Sequence, residues 1–295
     1  MRPNRGLDPT ALTIQVQRRG SARERCAREE RTDVNRWNGI VILILTLSAW
    51  SLGTEAGQID YTVFVLGGQS NMEGQAETAQ VDKSLRRDYP NTDLYLFGKR
   101  VGLFDQPKCG PEISFADSIS EALHDSRIIL VKYAVGGTSL LAWAPDWDET
   151  RAKIAGNESA GPLYRNLLGQ IATATEGKRV HFGAVLWMQG ERDAKFVPAA
   201  EQYEAHFLGL IERVRADLRT PDLLFLYGQV NPPRSTYPGL EQVRQAQLRV
   251  QNRIANVRMV DTDDLSKLAD QLHYDAKGQI TLGRRFAQAY LSMRK

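Results

Sequence analysis

From Tyr61 onward the chain alternates short apolar runs with longer stretches in which apolar residues return every three or four positions. Short runs bounded by turn residues fit strands buried on both faces, and the longer period fits amphipathic helices. The pattern therefore predicts an α/β domain with a mostly parallel sheet. It places strands at Tyr61 to Leu66, Asp93 to Phe97, Arg127 to Ala134, Val180 to Met188, Leu223 to Gly228 and Val257 to Asp261. The clearest helix runs from Ala200 to Leu218, where Tyr203, Phe207, Leu210, Ile211, Val214 and Leu218 share one face. Others begin near Ile113, Leu163 and Glu241, and a last one spans Ala276 to Met293 with Asp275 placed to cap it. Two loops, Gly98 to Pro111 and Trp143 to Gly161, are long enough to carry specificity. Trp143 and Trp147 in the second either stack on a sugar ring or pin the loop to the body.

Upstream of this domain, the apolar run from Ile40 to Leu52 follows Arg36 and precedes small residues such as Gly53 and Ala56. It falls short of the roughly 20 residues needed to cross a bilayer and suits a secretory h-region, with a buried core helix as the rival reading. Residues 1–57 are thus expected to be a basic segment plus signal peptide, and residues 58–295 a single catalytic domain. Export to a periplasmic or extracellular space follows, with membrane contact only through the N-terminal segment if it stays uncleaved. The formal charge of +3 reflects arginines crowded before the apolar run, so it gives no support to a nucleic-acid partner. Two cysteines, Cys26 and Cys109, exclude a disulfide framework, and no zinc-type spacing is present.

Three polar clusters sit at strand exits or on a terminal loop. Open α/β sheets bind ligands at the carboxyl ends of their strands, so these clusters are expected to converge. Ser70 follows the first strand through Gly67-Gly68, a turn able to expose a hydroxyl. No lysine follows as a phosphate-binding P-loop requires, and Met72 excludes the Gly-x-Ser-x-Gly elbow. Asp270 and His273 stand three apart, close enough for the carboxylate to orient the imidazole toward a hydroxyl. An oxyanion would find donors in the backbone N–H groups of Ser70 and Gly137 and in the side-chain amide of Gln189. Glu191 either braces the site through hydrogen bonds or assists or replaces Asp270 as the acid.

Taken in order, these blocks resemble the SGNH-hydrolase superfamily, in its branch of carbohydrate acetylesterases that holds sialate O-acetylesterase-like proteins and acetylxylan esterases. Gly68-Gln69-Ser70-Asn71-Met72 is similar to the first family block, with Ser70 at the nucleophile position. Ala134 to Leu140 is similar to the second, and its turn aligns Gly137 with the oxyanion donor. Trp187-Met188-Gln189-Gly190-Glu191 resembles the third, in which this branch carries Gln where others carry Asn, and Asp270-x-x-His273 matches the last. Met188 stands where a histidine often occurs, and Arg192 where a small residue is usual, departures that bear on pocket shape and charge. The resemblance implies a flavodoxin-like three-layer α/β/α fold with about five central parallel strands. It also implies hydrolysis of an O-acetyl ester on a carbohydrate through an acyl-enzyme, the acetylated carbohydrate being the partner and no metal or organic cofactor being needed. Two rival readings are a non-catalytic exported carbohydrate-binding protein of the same fold, and a lipid or thioester hydrolase.

Overall fold

A computed structural model describes residues 60–294. The basic segment, the apolar run 40–52 and the boundary at residues 57–58 expected above lie outside the described residues. In chain order the strands are β1 (Asp60–Gly68), β2 (Ala76–Glu77), β3 (Thr92–Leu96), β4 (Lys99–Val101), β5 (Lys108–Cys109), β6 (Arg127–Ala134), β7 (Arg179–Met188), β8 (Leu224–Gly228) and β9 (Val257–Val260). The α-helices are α1 (Ser70–Glu73), α2 (Glu112–Ala122), α3 (Glu149–Ala152), α4 (Leu163–Thr175), α5 (Glu191–Lys195), α6 (Val197–Asp217), α7 (Leu240–Arg253) and α8 (Ala276–Met293).

The expected α/β/α fold is present. Its sheet is larger than the expected about five strands: seven strands lie in the order β4-β3-β6-β1-β7-β8-β9. All pair in parallel except the edge strand β4, which forms an antiparallel hairpin with β3. A three-residue edge strand is too short to show a period, which is why the sequence pattern does not reveal it. Strand β1 is the hinge of the topology, because the chain winds to β3 and β6 on one side of it and then to β7, β8 and β9 on the other. Such a switch of winding direction opens a crevice at the carboxyl ends of the strands.

Side chains alternate across β1 and reach both helical layers. Phe64 points to α2 and α8, where it meets Phe115 and Tyr290 edge-on at 5.0 and 4.8 Å. Gly67 faces the opposite layer and leaves room for the Trp187 ring, which a Cβ would approach to 2.8 Å. From Trp187 the aromatic packing continues through Phe225 to Phe207 of α6. Full burial of rings of this size is worth about 1.5–3 kcal/mol each, so this sheet is anchored through its middle strands. Helix α8 starts where the sequence places it, with the Asp275 carboxylate accepting from the Gly278 amide at 2.8 Å.

The tryptophans of the loop Trp143 to Gly161 serve the body of the protein. Trp143 is fully buried against Tyr133 and Trp187 and donates from Nε1 to Thr138 Oγ1 at 3.0 Å. Trp147 packs over the Cα of Gly161, so close that any side chain there would collide with its indole. Of the two readings open from sequence, pinning of the loop is the one the structure bears out.

Candidate active site

Three adjacent strand ends deliver the first parts of the site. Beyond β1 the main chain stays in register with its neighbours, Gln69 N–H donating to Met188 O at 2.9 Å and Val135 N–H to Gly68 O at 3.0 Å. Those bonds bring Ser70, the Gly136-Gly137 turn and the Gln189 to Glu191 segment side by side. Gly68 is required here on two counts: its φ is +136°, and a Cβ would lie 2.1 Å from Met188 O. Gly137 has φ +68° and open space where its side chain would stand, so its backbone is accessible from the cleft. Ser70 opens α1, so its N–H is among those a helix leaves without an intrahelical acceptor.

The histidine arrives from the far side of the sheet. Strand β9 is separated from β1 by β7 and β8, a distance of about 14 Å at the usual strand spacing. The loop from Asp261 to Tyr274 recrosses that distance, and at its His273 end it is clamped by the Asn71 side chain. Asn71 Nδ2 donates to Leu272 O at 3.2 Å and to Glu191 Oε1 at 2.8 Å, while its Oδ1 accepts from Tyr274 N–H at 3.0 Å. Sequence reasoning assigned Asn71 no role. The signal available was its position, an amide between the candidate nucleophile and the core residue Met72, yet its partners are about 120 and 200 residues away, as residue numbers 191 and 272 attest.

Clamped in this way, His273 Nε2 stands 3.0 Å from Ser70 Oγ, and its Nδ1 stands 2.6 Å from Asp270 Oδ2. The other carboxylate oxygen, Oδ1, accepts from the amides of Leu272 and His273, both at 2.9 Å. Asp270 therefore shapes the turn and orients the ring at once, which a short acidic side chain can do and a longer one does less well. Partial burial pushes its pKa up, but the two amides and the imidazole outweigh that and hold the carboxyl below its ordinary 3.8. Ser70 is 6 % exposed, at the floor of a cleft of about 330 Å3 whose walls include Glu73, Gly137, Arg192, Lys195 and Tyr237.

Gln189 and Glu191 occupy places other than those expected of direct participants. The Gln189 amide nitrogen donates to Thr138 O at 2.9 Å and to the Asp193 carboxylate, and the side chain is fully buried outside the cleft lining. Turning the amide over would set its oxygen against the Thr138 carbonyl, so the donor stays committed inward. This withdraws Gln189 from the expected trio of oxyanion donors and makes it a brace for the Gly137–Thr138 turn. Glu191 meets Asn71 rather than the imidazole, in agreement with the bracing alternative. Burial drives its pKa up against the opposing hydrogen bond from Asn71.

Asp193 is a further buried acid that the sequence reading did not use. Its carboxylate accepts from Leu140 N–H at 3.2 Å as well as from Gln189. Burial outweighs both bonds and lifts its pKa from 3.8 to about 7. Since the folded value lies above the unfolded one, the resulting stabilisation is complete below pH 3.8 and disappears as pH rises through about 7. Urea unfolding from pH 4 to 8 is expected to show stability falling by up to about 1.4 kcal/mol per pH unit from this group. Asp193→Asn should flatten that decline, leaving the part due to Glu191, whose pKa burial also raises; an unaltered slope would exclude the assignment.

The geometry has counterparts among known proteins. A family profile described as carbohydrate esterase, sialic acid-specific acetylesterase, matches residues 60–292. A probable carbohydrate esterase of Arabidopsis thaliana is 29% identical over 263 residues, covering 78% of this chain and 90% of the relative. The X-ray structure of an Arabidopsis thaliana protein superposes with a TM-score of 0.66 at 25% identity, over 79% of this chain and 98% of that one. A carbohydrate acetylesterase from Xanthomonas citri shares the fold at a TM-score of 0.58 and 19% identity, over 77% of this chain and 55% of the other. The profile match takes in the whole sheet together with Ser70, Asp270 and His273, and on that ground the chain belongs to the sialic acid-specific acetylesterase family of carbohydrate esterases.

Proposed function

We propose that this esterase removes O-acetyl groups from a carbohydrate through a covalent acyl-enzyme on Ser70. The observation that carries the reading is the unbroken line Ser70 Oγ, His273 Nε2, His273 Nδ1, Asp270 Oδ2, at 3.0 and 2.6 Å, opening on the cleft. Ser70 Oγ attacks the acetyl carbonyl as His273 takes its proton, and the imidazolium is stabilised by the Asp270 carboxylate. The same proton then goes to the departing sugar oxygen, and a water activated by His273 releases acetate in the second half. The tetrahedral oxyanion rests on the N–H groups of Ser70 and Gly137, with Gln189 holding the Gly137 turn in place.

The walls of the cleft support a short acyl group and a polar alcohol. Glu73, Arg192, Lys195 and Tyr237 offer charges and a hydroxyl, which suit a sugar better than a lipid chain or a pantetheine arm. A serine-directed phosphonate is expected to label Ser70 stoichiometrically, with acetate release lost in proportion to the label. Mass mapping that finds no adduct on Ser70 in a folded protein would favour the non-catalytic binder instead.

A further inference from the structure

Beside the catalytic cleft lies a second one of about 350 Å3, and the two share the walls formed by Glu73 and Gln75. We propose that this second cleft, between Phe97, Gln75 and the Lys132–Glu112 pair, is a subsite for a neutral pyranose next to the acetylated residue of an oligosaccharide. The proposal rests on the esterase reading above and extends it from the bond cleaved to the chain that carries it.

The floor of this cleft is unusual for the middle of a parallel sheet. Lys132 and Glu112 are paired at 2.7 Å with side chains only 6% and 5% exposed. Taking such a pair out of water is costly, and its retention calls for a reason beyond stability. Glu112 also accepts from Gly110 N–H at 3.0 Å, whereas an ammonium carries three donors and Lys132 spends one on Glu112. Among the described residues the other two have no acceptor, and Lys132 lines the cleft. Those buried donors suit sugar hydroxyls.

One wall supplies a ring face. Phe97 is 59% exposed, the most exposed large apolar side chain among the described residues, and it rests edge-on against Tyr133 at 5.5 Å. It sits in the two-residue turn between Leu96 and Lys99 with φ +46°, followed by Gly98 at +75°. Asparagine is the residue such a turn favours at this place, and a bulky aromatic is poorly suited to it. The turn does not explain the phenylalanine; a platform for the apolar face of a sugar ring does. Gln106, Pro107 and Lys108 also line the cleft, from the loop that the sequence singled out for specificity.

Charge selects among sugars. The charged side chains lining the cleft are Glu73, Lys108, Glu112 and Lys132, two of each sign, so nothing there favours a uronic or sialic acid over a neutral ring. The test compares kcat/KM on O-acetylated xylotetraose with that on p-nitrophenyl acetate. In Phe97→Asn the ratio of the two should fall about tenfold, mainly through KM for the tetraose, while the melting temperature holds or rises because asparagine accepts the left-handed backbone. Phe97→Trp should keep the ratio near that of the parent protein. The subsite is refuted if Phe97→Asn leaves the ratio unchanged, or if the parent protein turns over an O-acetylated tetragalacturonide better than the tetraose. Failure of the esterase reading would look different: Ser70→Ala would go on releasing acetate from both substrates.

Discussion

Ser70→Ala is expected to lower acetate release from p-nitrophenyl acetate by about 10⁶ in kcat, with a melting temperature close to that of the parent protein. The size follows from what the oxygen does. Without a nucleophile no acyl-enzyme forms, and what remains is whatever water attack the two backbone donors and the bound geometry can still promote, about 10³–10⁴ above the uncatalysed reaction. The fold should tolerate the change, because among the described residues the Ser70 side chain is bonded to His273 alone and the surrounding turn is held by main-chain bonds of Gln69 and Gly68. Steady-state kinetics, with a burst phase in the parent and none in the variant, measures it. Turnover within tenfold of the parent would end the acyl-enzyme mechanism.

Asp270→Asn comes second, with an expected loss of about 10³ in kcat, or about 4 kcal/mol of transition-state stabilisation. The asparagine oxygen can still accept from Leu272 and His273, so the turn persists. Its amide nitrogen would face Nδ1, however, and reverse the tautomer on which the line to Ser70 depends. The loss is set below the value typical of a buried triad acid because the Asp270 side chain is 45% exposed and water can replace part of its influence. Glu191→Gln should cost less than tenfold, since it preserves an acceptor for Asn71 and never touches the imidazole. A Glu191→Gln defect exceeding that of Asp270→Asn would move the orienting role to Glu191.

Elements set by long local patterns were legible from sequence. The six apolar runs are all parallel strands, and the last helix has the predicted limits with its Asp275 cap in place. The helix expected from Ala200 begins at Val197 because Pro198 is tolerated in a first turn, a position the apolar period does not register. In the site, the pairing of Ser70 with His273 followed from the rule that strand ends converge, and the Asp270 spacing followed from reach alone. Long-range partners were not legible. The inward commitment of Gln189 depends on Thr138 and Asp193, and the clamp by Asn71 depends on Glu191, Leu272 and Tyr274. Polar side chains at strand exits look alike in sequence, and only packing decides which face the cleft and which are spent behind it.

Ser70 and His273 are 203 residues apart, joined only when the returning loop docks on the Asn71 amide beside Ser70. During synthesis the alcohol of residue 70 is made long before the imidazole of residue 273, so on the proposed mechanism a chain cut short between them would carry the one without its base.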